Sequence, residues 1–125
     1  MDVTPLVPQG RQIIESYGNG GFTVTGESYR GSLLVLPEST ASWPLSDIAE
    51  IDLAVLEPVL SAEPPIEVLL IGCGPAMAFI DPDLRAAAQA RGVALEPMDT
   101  GAACRTYNVL VMEDRRVAAA LIAVE

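Results

Sequence analysis

The first 40 residues alternate between short hydrophobic runs and glycine-rich turns. Residues 12–17 have strand character, and the Gly-Asn-Gly-Gly sequence at 18–21 is a turn signal. Apolar and polar side chains then alternate over 22–25, and a second turn at 26–27 precedes an apolar run over 28–36. This pattern predicts three antiparallel strands in a β-meander, the last of them ending at Pro37.

The pattern between residues 43 and 62 is helical after a short edge piece at Trp43 and Pro44. Apolar residues recur from Ile48 to Leu60 at intervals that suit a helix buried on one side, running to about residue 62. Pro58 falls inside this stretch, so we expect a kink or a break into two pieces.

Two apolar runs in the second half predict neighbouring strands. Residues 66–71 suit a central strand covered on both faces, and residues 93–97 form a shorter strand. If the two are parallel, their carboxyl ends lie at one edge of the sheet. That arrangement brings the Gly-Cys-Gly-Pro turn at 72–75 close to Thr100 and Gly101.

Two helices and a closing strand complete the pattern. Asp81 and Pro82 are typical of a helix start, which predicts a helix over 84–91 ending at Gly92. Thr100 is the predicted cap of the next helix, and residues 117–124 predict a buried strand. The order of elements indicates an α/β fold: one three-layer domain over 1–125, with a mixed central sheet, helices on both faces, the N-terminal β-meander and a loose arm at 1–10.

Charge narrows the classes of partner. The formal net charge is −10, with seven arginines and no lysine. Nucleic acids and anionic membrane surfaces both attract clustered positive charge, so neither is expected as a partner. A basic protein surface is the natural electrostatic partner.

The absence of histidine removes the commonest general base and the commonest metal ligand. Two cysteines are too few for a disulfide framework or a zinc site, so no metal is expected, and no cofactor is assigned. The start of the chain has neither a secretory signal nor a transit peptide, and the apolar run at 68–80 is too short to span a bilayer. We therefore expect a cytoplasmic protein without direct membrane insertion.

The glycine turn and the cysteines each allow two interpretations. Gly72-Cys73-Gly74 invites a dinucleotide site, but Met77 stands where a third glycine is needed, and a glycine turn that lets strand and helix pack is favoured. Cys104, beside Arg105 in a first helical turn, could have a lowered thiol pKa and act with Cys73 in redox chemistry. Simple burial of both cysteines is the favoured alternative.

Polar residues bunch along the helix that follows Thr100. Arg105 and the amino end of the helix could bind a carboxylate, or the polar side chains could satisfy backbone groups near the sheet edge. Both alternatives stay open. The candidate crevice for a ligand or partner consists of Gly72, Cys73, Gly74, Pro75, Thr100, Cys104, Arg105, Thr106, Tyr107 and Asn108. No catalytic residue is assigned.

The chain also resembles a known family in runs of residues that occur in the same order. They are Tyr-Gly-Asn-Gly-Gly-Phe at 17–22, Tyr-Arg-Gly-Ser-Leu-Leu-Val-Leu-Pro at 29–37, Trp43, Ile-Gly-Cys-Gly at 71–74, Asp-Thr at 99–100 and Ala-Cys-Arg-Thr-Tyr-Asn at 103–108. The family is the one of unknown function that includes mitochondrial NADH dehydrogenase (complex I) assembly factor 3 and its bacterial and archaeal relatives. The chain departs from it at Cys73, where relatives often carry threonine, and at Asp114, where they often carry glycine.

The resemblance implies a compact three-layer α/β fold without established catalytic activity. It also implies protein partners, in the mitochondrial branch components of a membrane complex under assembly. The first hypothesis is therefore a non-catalytic interaction module of assembly-factor type. The alternative from another class is a binding protein or weak enzyme for a small anionic ligand in the same crevice, and the third is a thiol redox protein.

Overall fold

A computed structural model describes residues 10–125. The predicted loose arm at 1–10 lies outside the described residues except for Gly10, which belongs to a turn.

The N-terminal meander is confirmed, but its third strand is shorter than predicted. Strands β1 (Ile14–Gly18), β2 (Gly21–Val24) and β3 (Glu27–Arg30) form an antiparallel sheet in that order. The prediction of one strand over 28–36 is wrong, because the chain turns at Gly31, whose φ is +79°. Glycine adopts this conformation at little cost, and the chain there leaves the first sheet for the second.

The second sheet has five strands in the order β5-β4-β8-β6-β7. Strand β6 is parallel to both of its neighbours, whereas β4 is antiparallel to β5 and β8. The predicted mixed sheet and the parallel pair are therefore confirmed. The strands are β4 (Leu33–Val35), β5 (Thr40–Ser42), β6 (Val68–Gly72), β7 (Ala94–Met98) and β8 (Val117–Leu121).

The predicted helix over 48–62 is broken, as expected, but the break lies before Pro58 and most of the segment is not α-helical. The segment contains two 3₁₀ turns, Ile48–Glu50 and Ala54–Leu56, and the short helix α1 (Glu57–Leu60). Ile51 is extended and separates the first turn from the rest. Pro58 lies in the first turn of α1 instead of a helix interior, a place where its missing N–H leaves no partner unsatisfied.

Two longer helices agree with the predicted positions. Helix α2 (Pro82–Ala90) begins after Asp81, whose side chain accepts a hydrogen bond from the Asp83 amide. Helix α3 (Thr100–Met112) begins after Asp99. The short edge strand predicted at Trp43 and Pro44 instead covers the residues just before Trp43, as β5. The Trp43 indole donates to the Val55 carbonyl at 2.9 Å.

Successive residues of the five-stranded sheet point to opposite faces, as a pleated strand requires. Leu69 and Ile71 of β6 belong to a core with α1 and α2. Leu70, between them, belongs to a second core with α3 and the meander. The three layers, with helices on both faces of the central sheet, are thus confirmed.

Candidate functional site

The glycine turn at 72–75 and the start of α3 meet at one rim of the sheet. The Thr100 amide donates to the Gly74 carbonyl at 2.9 Å, and the Gly74 amide donates to the Thr100 hydroxyl at 3.0 Å. A Cβ atom at Gly72 would lie 3.0 Å from the Thr100 Cα, tighter than most such contacts. Glycine at 72 therefore permits this close packing, as the favoured interpretation of the turn requires.

Thr100 joins three segments. The prediction that it caps the helix is wrong. Its hydroxyl also donates to the Ile122 carbonyl at 2.7 Å, and the residue is fully buried. The cap is Asp99, whose carboxylate accepts from the Ala102 amide at 3.0 Å. Because Asp99 occupies the capping position, the Thr100 hydroxyl is free to satisfy backbone groups of the rim.

Tyr107 and Asn108 use their polar atoms to attach the N-terminal segment to α3. The Tyr107 hydroxyl lies 3.0 Å from the Gln12 carbonyl and 3.2 Å from the Leu36 carbonyl. The Asn108 side chain accepts from the Ile14 amide at 2.9 Å and donates to its carbonyl at 2.7 Å. Burial raises the pKa of Tyr107 above its ordinary value. The side chains of these two residues therefore satisfy backbone groups of this chain, which was the second of the two alternatives for the polar residues of this helix.

The two cysteines lie in different cores and are both free and buried. Cys73 packs in the core on the α2 face, whereas Cys104 packs on the α3 face. Burial raises the pKa of the Cys104 thiol to about 12, despite the opposing effect of the Arg105 charge. The hypothesis of a lowered thiol pKa is therefore wrong, because loss of hydration outweighs one exposed charge, and the favoured alternative, burial of both cysteines, is confirmed.

An open groove runs between β1 and the exposed side of α3. Its volume is about 390 Å³. Arg105 is exposed there and donates to the Tyr17 hydroxyl at 3.3 Å. A Cβ atom at Gly101 would collide with that hydroxyl, so glycine leaves room for Tyr17. The residues that line the groove are Ile14, Glu15, Ser16, Tyr17, Cys104, Arg105 and Asn108.

The predicted site residues thus fall into two places. Cys104, Arg105 and Asn108 line the groove, whereas the glycine turn and Thr100 form the rim. Thr106 is half-buried and Pro75 is exposed. The β1 wall was missed, because no local pattern shows which helix the meander contacts. The Tyr-Gly-Asn-Gly-Gly-Phe motif at 17–22, one of the runs shared with the family, was the one sequence signal that pointed to Tyr17.

Among residues 10–125, no three histidine, cysteine or acidic side chains are grouped so as to hold a metal ion. The same residues contain no helix that is long and apolar enough to cross a membrane.

Solved structures define the class of fold. A Bartonella henselae protein described as an outer membrane protein is 40% identical, with a TM-score of 0.85 over 93% of this chain and 98% of that one. A Bordetella pertussis protein described as a Mth938-like domain is 29% identical, with a TM-score of 0.82 over 98% of this chain and 92% of that one. The chain therefore has the Mth938-like α/β fold.

The chain belongs to the family described as "Protein of unknown function (DUF498/DUF598)", which its residues 14–122 match. NADH dehydrogenase [ubiquinone] 1 alpha subcomplex assembly factor 3 of Xenopus tropicalis is 37% identical over 87% of this chain and 60% of that protein. An uncharacterised protein of Rhodobacter capsulatus is 39% identical over 87% of this chain and 82% of that one. The chain thus spans about three fifths of the length of the Xenopus relative, and the family resemblance is confirmed.

Proposed function

We propose that this chain is a non-catalytic protein-interaction module, acting as a single domain in the assembly of a multi-subunit membrane complex. The observation that carries the proposal is the match of residues 14–122 to a family whose members include complex I assembly factors. The buried polar side chains support only the non-catalytic part of the proposal, because Thr100, Tyr107 and Asn108 use their hydrogen bonds within the fold. A cytoplasmic location remains part of the proposal.

The groove between β1 and α3 is the proposed docking site. Arg105 and Tyr17 are exposed along it, and arginine and tyrosine are enriched where protein interfaces are strongest. An exposed arginine such as Arg105 in the groove can pair with a carboxylate or a carbonyl of a partner chain.

Co-purification from the native host tests this docking site. Tagged chain is recovered with its partners, which are then identified by mass spectrometry. We expect Arg105→Glu to reduce partner recovery about tenfold, since a reversed charge at an interface adds repulsion as well as removing a contact. Arg115→Glu is the matched control: Arg115 is exposed, and it has no ion pair among residues 10–125. Equal recovery with the two variants would exclude the groove as the docking site.

A small anionic ligand in the same groove is the second candidate. The exposed Arg105 guanidinium and a volume of about 390 Å³ support it. Thermal-shift measurements against carboxylates and nucleotides separate the two functions. A ligand at a hundred times its Kd adds about 2.7 kcal/mol of stability. Such a shift in the native protein, and its loss in Arg105→Glu, would favour the ligand-binding function.

A further inference from the structure

The loop between β6 and α2 exposes two large apolar side chains. Phe79 is 84% exposed and Met77 is 66% exposed. Scattered single apolar residues are normal on protein surfaces, but a phenylalanine exposed to this extent, with a second apolar residue two positions earlier, calls for an explanation.

The loop is held at both ends by contacts with the rest of the fold, so the exposure of Phe79 is not a consequence of a loose segment. Before it, Gly74 is hydrogen-bonded to Thr100 at the rim. After it, Ile80 is 1% exposed within the core, and Asp81 begins α2. Ile80 is buried whereas the neighbouring Phe79 is almost fully exposed, so the loop directs Phe79 away from the core.

A shallow depression lies beside Phe79, on the face of the sheet opposite to the groove. Its volume is about 400 Å³, and the 3₁₀ turn at Ile48–Glu50 forms part of its wall. We call this surface the Phe79 patch, and its residues are Ile48, Ala49, Ile51, Phe79, Asp81 and Pro82.

The surroundings of the Phe79 patch are acidic. Residues 31–84 contain nine acidic residues and no basic one. Exposed carboxylates neighbour the lining residues in sequence at Asp47, Glu50, Asp52 and Asp83, and none of them forms an ion pair among residues 10–125. Arg85 is the nearest basic residue along the chain. A second copy of this chain would bring like charges together, and an anionic membrane would be repelled.

We propose that the Phe79 patch binds a basic amphipathic segment of a partner protein. Apolar side chains of that segment pack on Phe79 and in the depression, and its flanking lysines or arginines face the surrounding carboxylates. The inference rests on the proposed function in taking the chain to be an interaction module, and it adds a second surface and the chemistry of the partner.

A synthetic amphipathic helical peptide of leucine and lysine, labelled with fluorescein, is the probe. Its binding to the native chain is measured by fluorescence anisotropy at low and high salt. We expect Phe79→Ser to weaken binding at least about tenfold, because an aromatic anchor often dominates such an interface. Val109→Ser, which removes an equally apolar side chain that is 58% exposed on α3, should leave the affinity unchanged.

Charge is tested separately from apolar contact. Glu50→Gln combined with Asp83→Asn should weaken binding and reduce its salt dependence, whereas Glu27→Gln combined with Glu67→Gln should do neither. A peptide with glutamate in place of lysine should not bind. Arg105→Glu, which tests the groove, should leave the peptide affinity unchanged, so the two proposals fail separately.

Five results would overturn the inference. Three concern the peptides: no binding of the lysine peptide to the native chain, equal binding of that peptide to the native chain and to Phe79→Ser, or equal binding of the glutamate peptide. The fourth is self-association of the native chain in sedimentation that Phe79→Ser abolishes. The fifth is binding of the native chain to phosphatidylglycerol vesicles that Phe79→Ser abolishes.

Discussion

Thr100 and Arg105 are both polar residues of α3, but the helix uses their side chains differently. At the start, Thr100 is fully buried and its hydroxyl contacts two backbone groups of other segments. One turn later, Arg105 is exposed, and its one side-chain hydrogen bond among the described residues is to Tyr17. The polar residues of α3 therefore divide by the side of the helix on which they lie: Thr100, Tyr107 and Asn108 anchor other segments, whereas Arg105 faces outward.

The largest expected effect comes from removing the Thr100 hydroxyl. Thr100→Val keeps the shape of the side chain but leaves the Gly74 amide and the Ile122 carbonyl without this partner. A buried polar group without a partner costs about 1–3 kcal/mol. We expect urea unfolding to report a loss of about 2–4 kcal/mol in the free energy of unfolding.

Thr100→Ser is the matched control for that loss. Serine keeps the hydroxyl and removes one methyl group, which costs about 1 kcal/mol in a core. If Thr100→Val were as stable as Thr100→Ser, the hydrogen bonds at the rim would not stabilise the junction.

A smaller loss in the free energy of unfolding is expected at alkaline pH, and it comes from Cys104 of the same helix. Its pKa is about 12 in the folded chain and 9.0 as its ordinary value, so the folded chain holds the proton more tightly. Its contribution to stability is therefore complete below the ordinary pKa and is lost as the pH rises towards the folded one. At pH 10 the loss should be about 1.4 kcal/mol.

Comparison with Cys104→Ala isolates this contribution. Urea unfolding at about pH 8 and about pH 10 gives the pH-dependent loss for each chain, and the native loss should exceed that of the variant by about 1.4 kcal/mol. Equal losses would mean that the thiol is ionised as easily in the folded chain as in the unfolded one.

Much of the fold was predictable because its signals are local. Asp81 and Pro82 mark the start of α2, and the apolar run that contains Leu69 to Ile71 marks a strand covered on both faces. The parallel pairing of β6 and β7 then brings the glycine turn to Thr100.

The missed features depend on contacts between distant segments. Gly31 has a positive φ because the chain changes sheets there, and the apolar run around it gives no sign of that change. The groove wall at Tyr17 depends on the bonds between Asn108 and Ile14, which are 94 residues apart. Burial of Cys104, by contrast, was the favoured prediction, and the meander that packs over α3 accounts for it.

The most direct test of this division is urea unfolding of the native chain and five single variants along the polar run of α3. We expect a loss of about 1 kcal/mol or more for Thr100→Val, Tyr107→Phe and Asn108→Ala, since each removes a hydrogen bond to the backbone of another segment. Arg105→Ala and Thr106→Ala should stay within about 0.5 kcal/mol of the native chain. A loss for Arg105→Ala as large as that for Thr100→Val would show that Arg105 anchors the fold as Thr100 does.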